Sequence, residues 1–257
     1  MPVIALESRL RNCRNVITFG VKPNFSDYSP HETAMIRNAE KIYYPSTYYA
    51  DLFCSINKKT FPSCHTYQYV QNKIKQTALF QLTGIPHPRT RFFFGKRQKK
   101  SILDYFNFPF ICKIPRGSAM GRGVYLIKSQ EELELYCGLT KTAYVQEYLP
   151  VDRDLRLIVV GRKVVHAYWR IARDGEFRNN IAAGGKISLD FIPQQVTDLA
   201  VHTALSCGWD DVGIDICSHG EKLYVIEANM KYGKEGFKAA GIDYIKLMEK
   251  MIENGDI

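Results

Sequence analysis

The chain has 257 residues, 46% hydrophobic and 24% charged, proportions that suit a protein with a buried core and exclude a disordered chain as the default. No apolar run approaches the roughly 18 residues a membrane helix needs. Glu7, Arg9, Arg11 and Arg14 interrupt the N-terminus where a secretory signal would be apolar, so the expected location is the cytoplasm, away from any membrane. A formal charge of +9 favours polyanions or acidic substrates without choosing among RNA, ATP and an acidic peptide. Seven scattered cysteines without a CxxC pair suit small buried groups in a reducing compartment, and Cys64 with His65 lacks a second pair to complete a zinc site.

In the first 70 residues the pattern predicts a short strand over Asn15–Gly20, a polar stretch to Pro30 and two helices. The second helix follows Ser46, with Tyr48, Tyr49, Leu52 and Phe53 as its apolar face. This region reads as a small cap. From Asn72 a helix is expected with Ile74, Ala78, Leu79 and Leu82 on one face and Gly84 as its stop. Strands follow at Thr90–Phe94, Phe110–Ile114 and Val124–Ile127, and Ser129 with Glu132 forms a capping box for the next helix.

Leu155–Val160 and Lys163–Trp169 read as a hairpin turning at Gly161 and Arg162. A helix from Pro193 carries Val196, Leu199, Ala200, Thr203 and Ala204 and stops at Gly208. Val212–Cys217 and Lys222–Glu227 form a second hairpin around His219 and Gly220, and a last helix starts near Ile242. The fold class is mixed α/β.

Four features point to chemistry. Glu227 and Asn229 lie two residues apart at a strand end, facing the same way, with Asp215 on the neighbouring strand. Three hard oxygen ligands of this kind suit magnesium, which usually takes one or two carboxylates plus substrate phosphates; solvated surface carboxylates are the plain alternative. The segment KIPRGSAMGRGV places Gly117, Gly121 and Gly123 in a strand–loop–strand unit behind Lys113. Its amides could approach phosphate, although it matches neither a Walker loop nor a dinucleotide fingerprint, and a plain hairpin turn is the competing reading. Arg178, Asn179 and Asn180 offer donors to a transferring phosphoryl group or simply form a surface loop. Arg91–Phe94 followed by Lys96, Arg97, Lys99 and Lys100 interleaves aromatic and basic residues. A strand and a solvated turn explain that pattern better than nucleic-acid binding does.

Taken in order, these pieces resemble the ATP-grasp superfamily, and specifically the RimK-type ligases that add glutamate to the C-terminus of a ribosomal protein. The resemblance implies an ATP-grasp fold with a truncated N-terminal region (1–70), a central subdomain bearing a glycine-rich lid (71–146) and a C-terminal subdomain (147–257), the last two clasping ATP. It implies phosphate contacts from Lys73 in QNKIKQ and Lys113 in FICKIPRG, and a lid of Gly117, Ser118, Gly121 and Gly123. It further implies an adenine hinge at Glu147, Tyr148 and Leu149 in VQEYL, and a ribose contact from Asp154 in DLR. Arg156 would support the phosphate end, and Arg178, Asn179 and Asn180 the transferring group. Magnesium, or alternatively manganese, would sit on Asp215 in GID and on Glu227 and Asn229 in IEAN.

The implied reaction joins a carboxylate to an amine through an acyl phosphate, on a glutamate-like amino acid or an acidic peptide tail; a homo-oligomer is possible. An ATP-grasp kinase and a basic RNA- or ribosome-binding module are the alternatives. The chain departs from the family after Asn229, where Met230, Lys231 and Tyr232 replace a small residue, proline and glycine, and its first 70 residues match poorly.

Overall fold

The computed structural model describes residues 3–117, 123–173, 176–178 and 184–257. Its strands form three sheets. The first is parallel, in the order β2-β1-β3-β4, from β1 (Val3–Ala5), β2 (Val16–Thr18), β3 (Lys41–Tyr43) and β4 (Lys59–Phe61). Only the β2 region shows in the sequence pattern. The other strands are three residues long, and Ile4, Ala5, Ile42 and Tyr43 are all buried, so period-two alternation never develops. Helix α1 (Pro30–Asn38) opens with a reciprocal capping box between Ser29 and Glu32. Helix α2 (Ser46–Ser55) buries Tyr49 and Phe53, stacked at 5.7 Å, and leaves Tyr48 and Leu52 in solvent, so only half of its expected apolar face is used. The short helix α3 (Cys64–Tyr67) places His65 Nε2 2.9 Å from the Cys207 carbonyl oxygen.

Helix α4 (Lys73–Thr83) differs most from expectation. Leu82 is exposed, and the buried face is Lys73, Gln76, Thr77 and Phe80. Phe80 shares a hydrophobic core with Leu157, Val212 and Ile214 of the C-terminal sheet, so α4 belongs to that core although it precedes the central strands in sequence. The central sheet is antiparallel in the order β5-β8-β6-β7: β5 (Thr90–Phe94), β6 (Phe110–Lys113), β7 (Val124–Ile127) and β8 (Thr142–Glu147). Helices α5 (Gly95–Lys99) and α6 (Gln130–Leu139) flank it. At α6 the Ser129 side chain accepts from Glu132 N–H, but the Glu132 carboxylate accepts from Lys128 N–H, one residue before the expected position.

The C-terminal sheet is antiparallel in the order β11-β10-β9-β12-β13: β9 (Arg153–Val160), β10 (Lys163–Ile171), β11 (Lys186–Ser188), β12 (Asp211–His219) and β13 (Lys222–Asn229). Helix α7 (Gln194–Ser206) covers one face through Val196, Ala200 and Ala204. On the other face Ile158 and Val160 meet Met248 and Met251 of α9 (Tyr244–Glu253), which follows the short α8 (Glu235–Ala239). Gly161 turns the β9–β10 hairpin with φ of 62°. A Cβ there would meet the Asp256 carbonyl oxygen at 2.7 Å, so both backbone and space require glycine.

Candidate functional site: a charged ladder facing an apolar slot

Two β-bulges build the site. In β9–β10, Val160 pairs with Lys163 beside the turn, but the register shifts between Val164 and His166, and beyond the shift Asp154 faces Arg170. In β12–β13, His219 pairs with Lys222, and the register shifts between Asp215 and Ile216, so that Asp215 faces Glu227. Asp215 also faces Arg156 across β9. Opposed residues share a sheet face, and the two shifts therefore line Asp154, Arg156, Arg170, Asp215 and Glu227 along one surface.

These charges neutralise one another. Asp154 accepts from Arg170 Nε at 2.7 Å and Nη2 at 2.8 Å. Asp215 accepts from Arg156 Nε, from Arg156 Nη2 at 2.9 Å and from Asn229 Nδ2 at 3.3 Å, and it pairs with Arg170 Nη2 at 2.9 Å. Both aspartates and Arg170 are about 5% exposed or less. Burial opposes the charge of Asp215, but Arg156 and Arg170 outweigh it and hold the carboxyl below its ordinary value.

Glu227 pairs with Lys73 Nζ at 3.2 Å. Lys73 is delivered by α4, which Gln76 fixes to β13: its Nε2 donates to Ala228 O at 2.8 Å and its Oε1 accepts from Ala228 N–H at 3.2 Å. Lys113, on β6, comes from the opposite wall. Burial pushes its ammonium down to about 8, against the pull of Glu227.

Beyond the charges an apolar slot runs between the central and C-terminal sheets, walled by Ile111, Val124, Val151 and Ile226 and closed by Gln146, Glu147, Tyr148 and Leu149. Glu147 is fixed there, its carboxylate accepting from Arg89 N–H at 2.6 Å and its own N–H donating to Arg89 O at 2.9 Å. Cys217 also lines the slot; burial raises its thiol to about 12, so it stays protonated at neutral pH.

The structure thus brings Lys73, Lys113, Asp154, Asp215, Glu227, the hinge and Arg178 to one cleft. Arg178 lies on its rim, paired with Glu176 at 2.7 Å. Gly117 and Gly123, both with positive φ, bracket the glycine segment. Ser118, Gly121, Asn179 and Asn180 lie outside the described residues. Asp154, expected at the ribose, has both carboxylate oxygens on Arg170, and Arg156, expected at the phosphates, binds Asp215 from outside the slot lining. Sequence reading missed Arg170 and Gln76. The only available signal for Arg170 is its place in the hairpin, and counting pairs from the turn without the bulge sets it against Arg153 instead.

The slot between the central and C-terminal sheets thus ends in two lysines and a carboxylate pair. The model of the RimK-like ATP-grasp domain matches residues 70–253, and the chain belongs to that family. It is 31% identical over 191 residues to a probable alpha-L-glutamate ligase of Citrobacter koseri, and equally so to a ribosomal protein bS6–L-glutamate ligase of Escherichia coli. Each match covers 71% of this chain and 63% of the relative, so the chain spans just under two thirds of the length of these curated relatives. Among solved structures, a RimK-domain ATP-grasp protein of Sphaerobacter thermophilus superposes with a TM-score of 0.69 at 18% identity, covering 96% of this chain and 98% of that one. The ATP-grasp ligase PsnB with its minimal precursor gives 0.72 at 16% identity over 98% of both chains. D-alanine–D-alanine ligase of Bacillus anthracis complexed with ATP gives 0.71 at 14% identity, covering 97% and 95%. These likenesses establish the ATP-grasp fold, including the N-terminal region outside the family match.

Proposed function

We propose that the protein is an ATP-dependent carboxylate–amine ligase. The observation that carries the reading is the convergence of Lys73 and Lys113, from two different sheet systems, on the Glu227–Asp215 end of the apolar slot. ATP's base would lie among Ile111, Val124 and Leu149, with its edge toward the Glu147–Leu149 backbone, and its phosphates would reach the two lysines. The terminal phosphoryl group passes to a substrate carboxylate, releasing ADP. The amine of the second substrate then attacks the acyl phosphate, losing a proton as phosphate leaves and the amide forms. The protein acts by positioning and charge neutralisation. No enzyme nucleophile is required, and the protonated Cys217 thiol is not one.

The donor set fits a hard divalent cation such as magnesium: Glu227 faces the cleft, the amide oxygen of Asn229 follows on the same strand, and Asp215 stands opposite. Such an ion would supply positive charge against the phosphates. Glu227, Asn229 and Asp215 would hold it. Asp154 serves to orient Arg170, and Gly117, Ser118, Gly121 and Gly123 would cover the phosphates, with Arg178, Asn179 and Asn180 at the transferring group. The names of the relatives and of PsnB's partner favour an amino acid joined to a protein or peptide tail.

The test is ADP release with magnesium and ATP across a panel of amino acids and acidic peptides, with hydroxylamine trapping of the acyl phosphate. A hydroxamate should form with the wild type and vanish in Glu227→Ala with unchanged circular dichroism. No ADP release with any carboxylate and amine pair would refute the ligase reading.

A further inference from the structure

Strand β5 is the edge of the central sheet. Arg89 O accepts from Glu147 N–H and Gly95 N–H donates to Lys141 O. Antiparallel alternation then turns the backbone groups of Arg91 and Phe93 toward β8 and those of Thr90, Phe92 and Phe94 outward. Side chains occupy the two ends of this edge: Gln81 Nε2 donates to Thr90 O at 3.4 Å, and Gln98 Oε1 accepts from Phe94 N–H at 2.7 Å. Between them, among the described residues, nothing bonds the outward N–H and C=O of Phe92. The edge opens into a groove lined by Gln81, Arg89, Arg91, Phe94, Gln98 and Tyr105.

Arg89 and Arg91 line the groove, and the segment bordering it is basic. From Arg89 to Tyr105 the chain carries six cations and one acid, Asp104. Lys99 caps the end of α6 by donating to Cys137 O at 2.7 Å. The other five, Arg89, Arg91, Lys96, Arg97 and Lys100, are exposed, and among the described residues none forms an ion pair. Arg91 lies 3.7 Å from the centre of the Tyr105 ring and Arg89 4.6 Å from that of Phe106, while Phe93 is buried. Arg91 thus covers one face of Tyr105 while Phe94 stays exposed, and what favours a peptide over a nucleic acid is the strand edge, whose open Phe92 N–H and C=O match an extended backbone. Because Arg89 of the groove is bonded to Glu147 of the slot and adjoins Pro88, the groove and the cleft lie side by side.

We propose that this groove docks an acidic, extended segment of the protein or peptide substrate. Its backbone would bond to the free Phe92 groups, and its carboxylates would meet Arg91, Lys96, Arg97 and Lys100. The proposal rests on the reading that one substrate is a protein or peptide. A fluorescein-labelled glutamate-rich decapeptide, its glutamine counterpart and a single-stranded oligoribonucleotide, titrated into the full chain and followed by anisotropy, test it. The acidic peptide should bind and the glutamine peptide should not. Arg91→Glu with Arg97→Glu should weaken binding at least tenfold, while ADP release with free amino acids as acceptors stays within twofold. Should that variant fold poorly, Lys96→Glu with Arg97→Glu, on the exposed α5, reads the same effect. Equal binding of the two peptides, tighter binding of the RNA, or no change in a folded variant would overturn the docking site. Failure of ADP release in every arm would overturn the ligase reading and leave the binding measurement to stand alone.

Discussion

The two ends of each C-terminal hairpin obey different rules. Near the turns, Val160 with Lys163 and His219 with Lys222 pair in the register that a two-residue connection dictates. Past the bulges at Val165 and Ile226 the register moves by one, and there the ion network stands. The turn end specifies the fold and the bulged end specifies the chemistry, because a one-residue shift decides which side chains share a face.

Deleting Ile226 should break this contrast most severely. The shift would be lost, Asp215 and Glu227 would no longer oppose each other, and ADP release should fall to background in a protein that still shows a cooperative melt. Retained turnover would mean that the bulge does not set the site.

Next in size is Arg170→Met. It leaves Asp154 without its partner and Asp215 with one arginine fewer, a loss of about 3–5 kcal/mol for breaking a buried pair. Urea unfolding should show that drop, and Asp154→Asn in the same chain should recover part of it by removing the orphaned charge. Independent, additive losses would show that the two residues do not act as a pair.

Lys113 offers a comparison with the opposite wall. Its folded pKa lies below the ordinary value, so it is cationic below about pH 8 and neutral above. ATP affinity should therefore weaken by about tenfold between pH 7 and 9 as that charge is lost. Lys113→Arg keeps its charge and should flatten the profile. The same depression makes the stability contribution of Lys113 rise with pH from about 8 toward its unfolded pKa, since the unfolded chain binds the proton more tightly there.

The smallest effect is expected at a turn. Gly161→Ala should cost about 2 kcal/mol, from its positive φ and the nearby Asp256 carbonyl, seen as a lower Tm with KM for ATP unchanged. A change in KM would show that turn and site are coupled.

Much of this architecture is legible in the residues. Long strands with turn glycines and the Gly84 and Gly208 helix stops are local signals, whereas the order of lysine, glycine segment, QEY and IEAN speaks only through its resemblance to a family. Local pattern fails where tertiary contact decides. Helix α4 turns Lys73, Gln76 and Thr77 inward because its partner is the site itself, so an apolar stripe is the wrong signal there. The three-residue strands β1, β3 and β4 are too short for a period. The bulges leave no mark that spacing could reveal, and without them neither the Asp154–Arg170 pair nor the Asp215–Glu227 opposition can be counted out.

The double bond from Gln76 to Ala228 has a mechanical consequence. An amide that donates to one backbone group and accepts from its neighbour imitates one link of a β-ladder, so α4 is sewn to β13 as a further strand would be. Lys73 and Glu227 then ride on one solid piece, and Lys113 rides on the other side of the slot. A nucleotide gripped by both lysines would work as a rivet through two plates, and the gap between the plates, measured as the distance from Lys113 to Glu227, is the gauge of whether the rivet is in place.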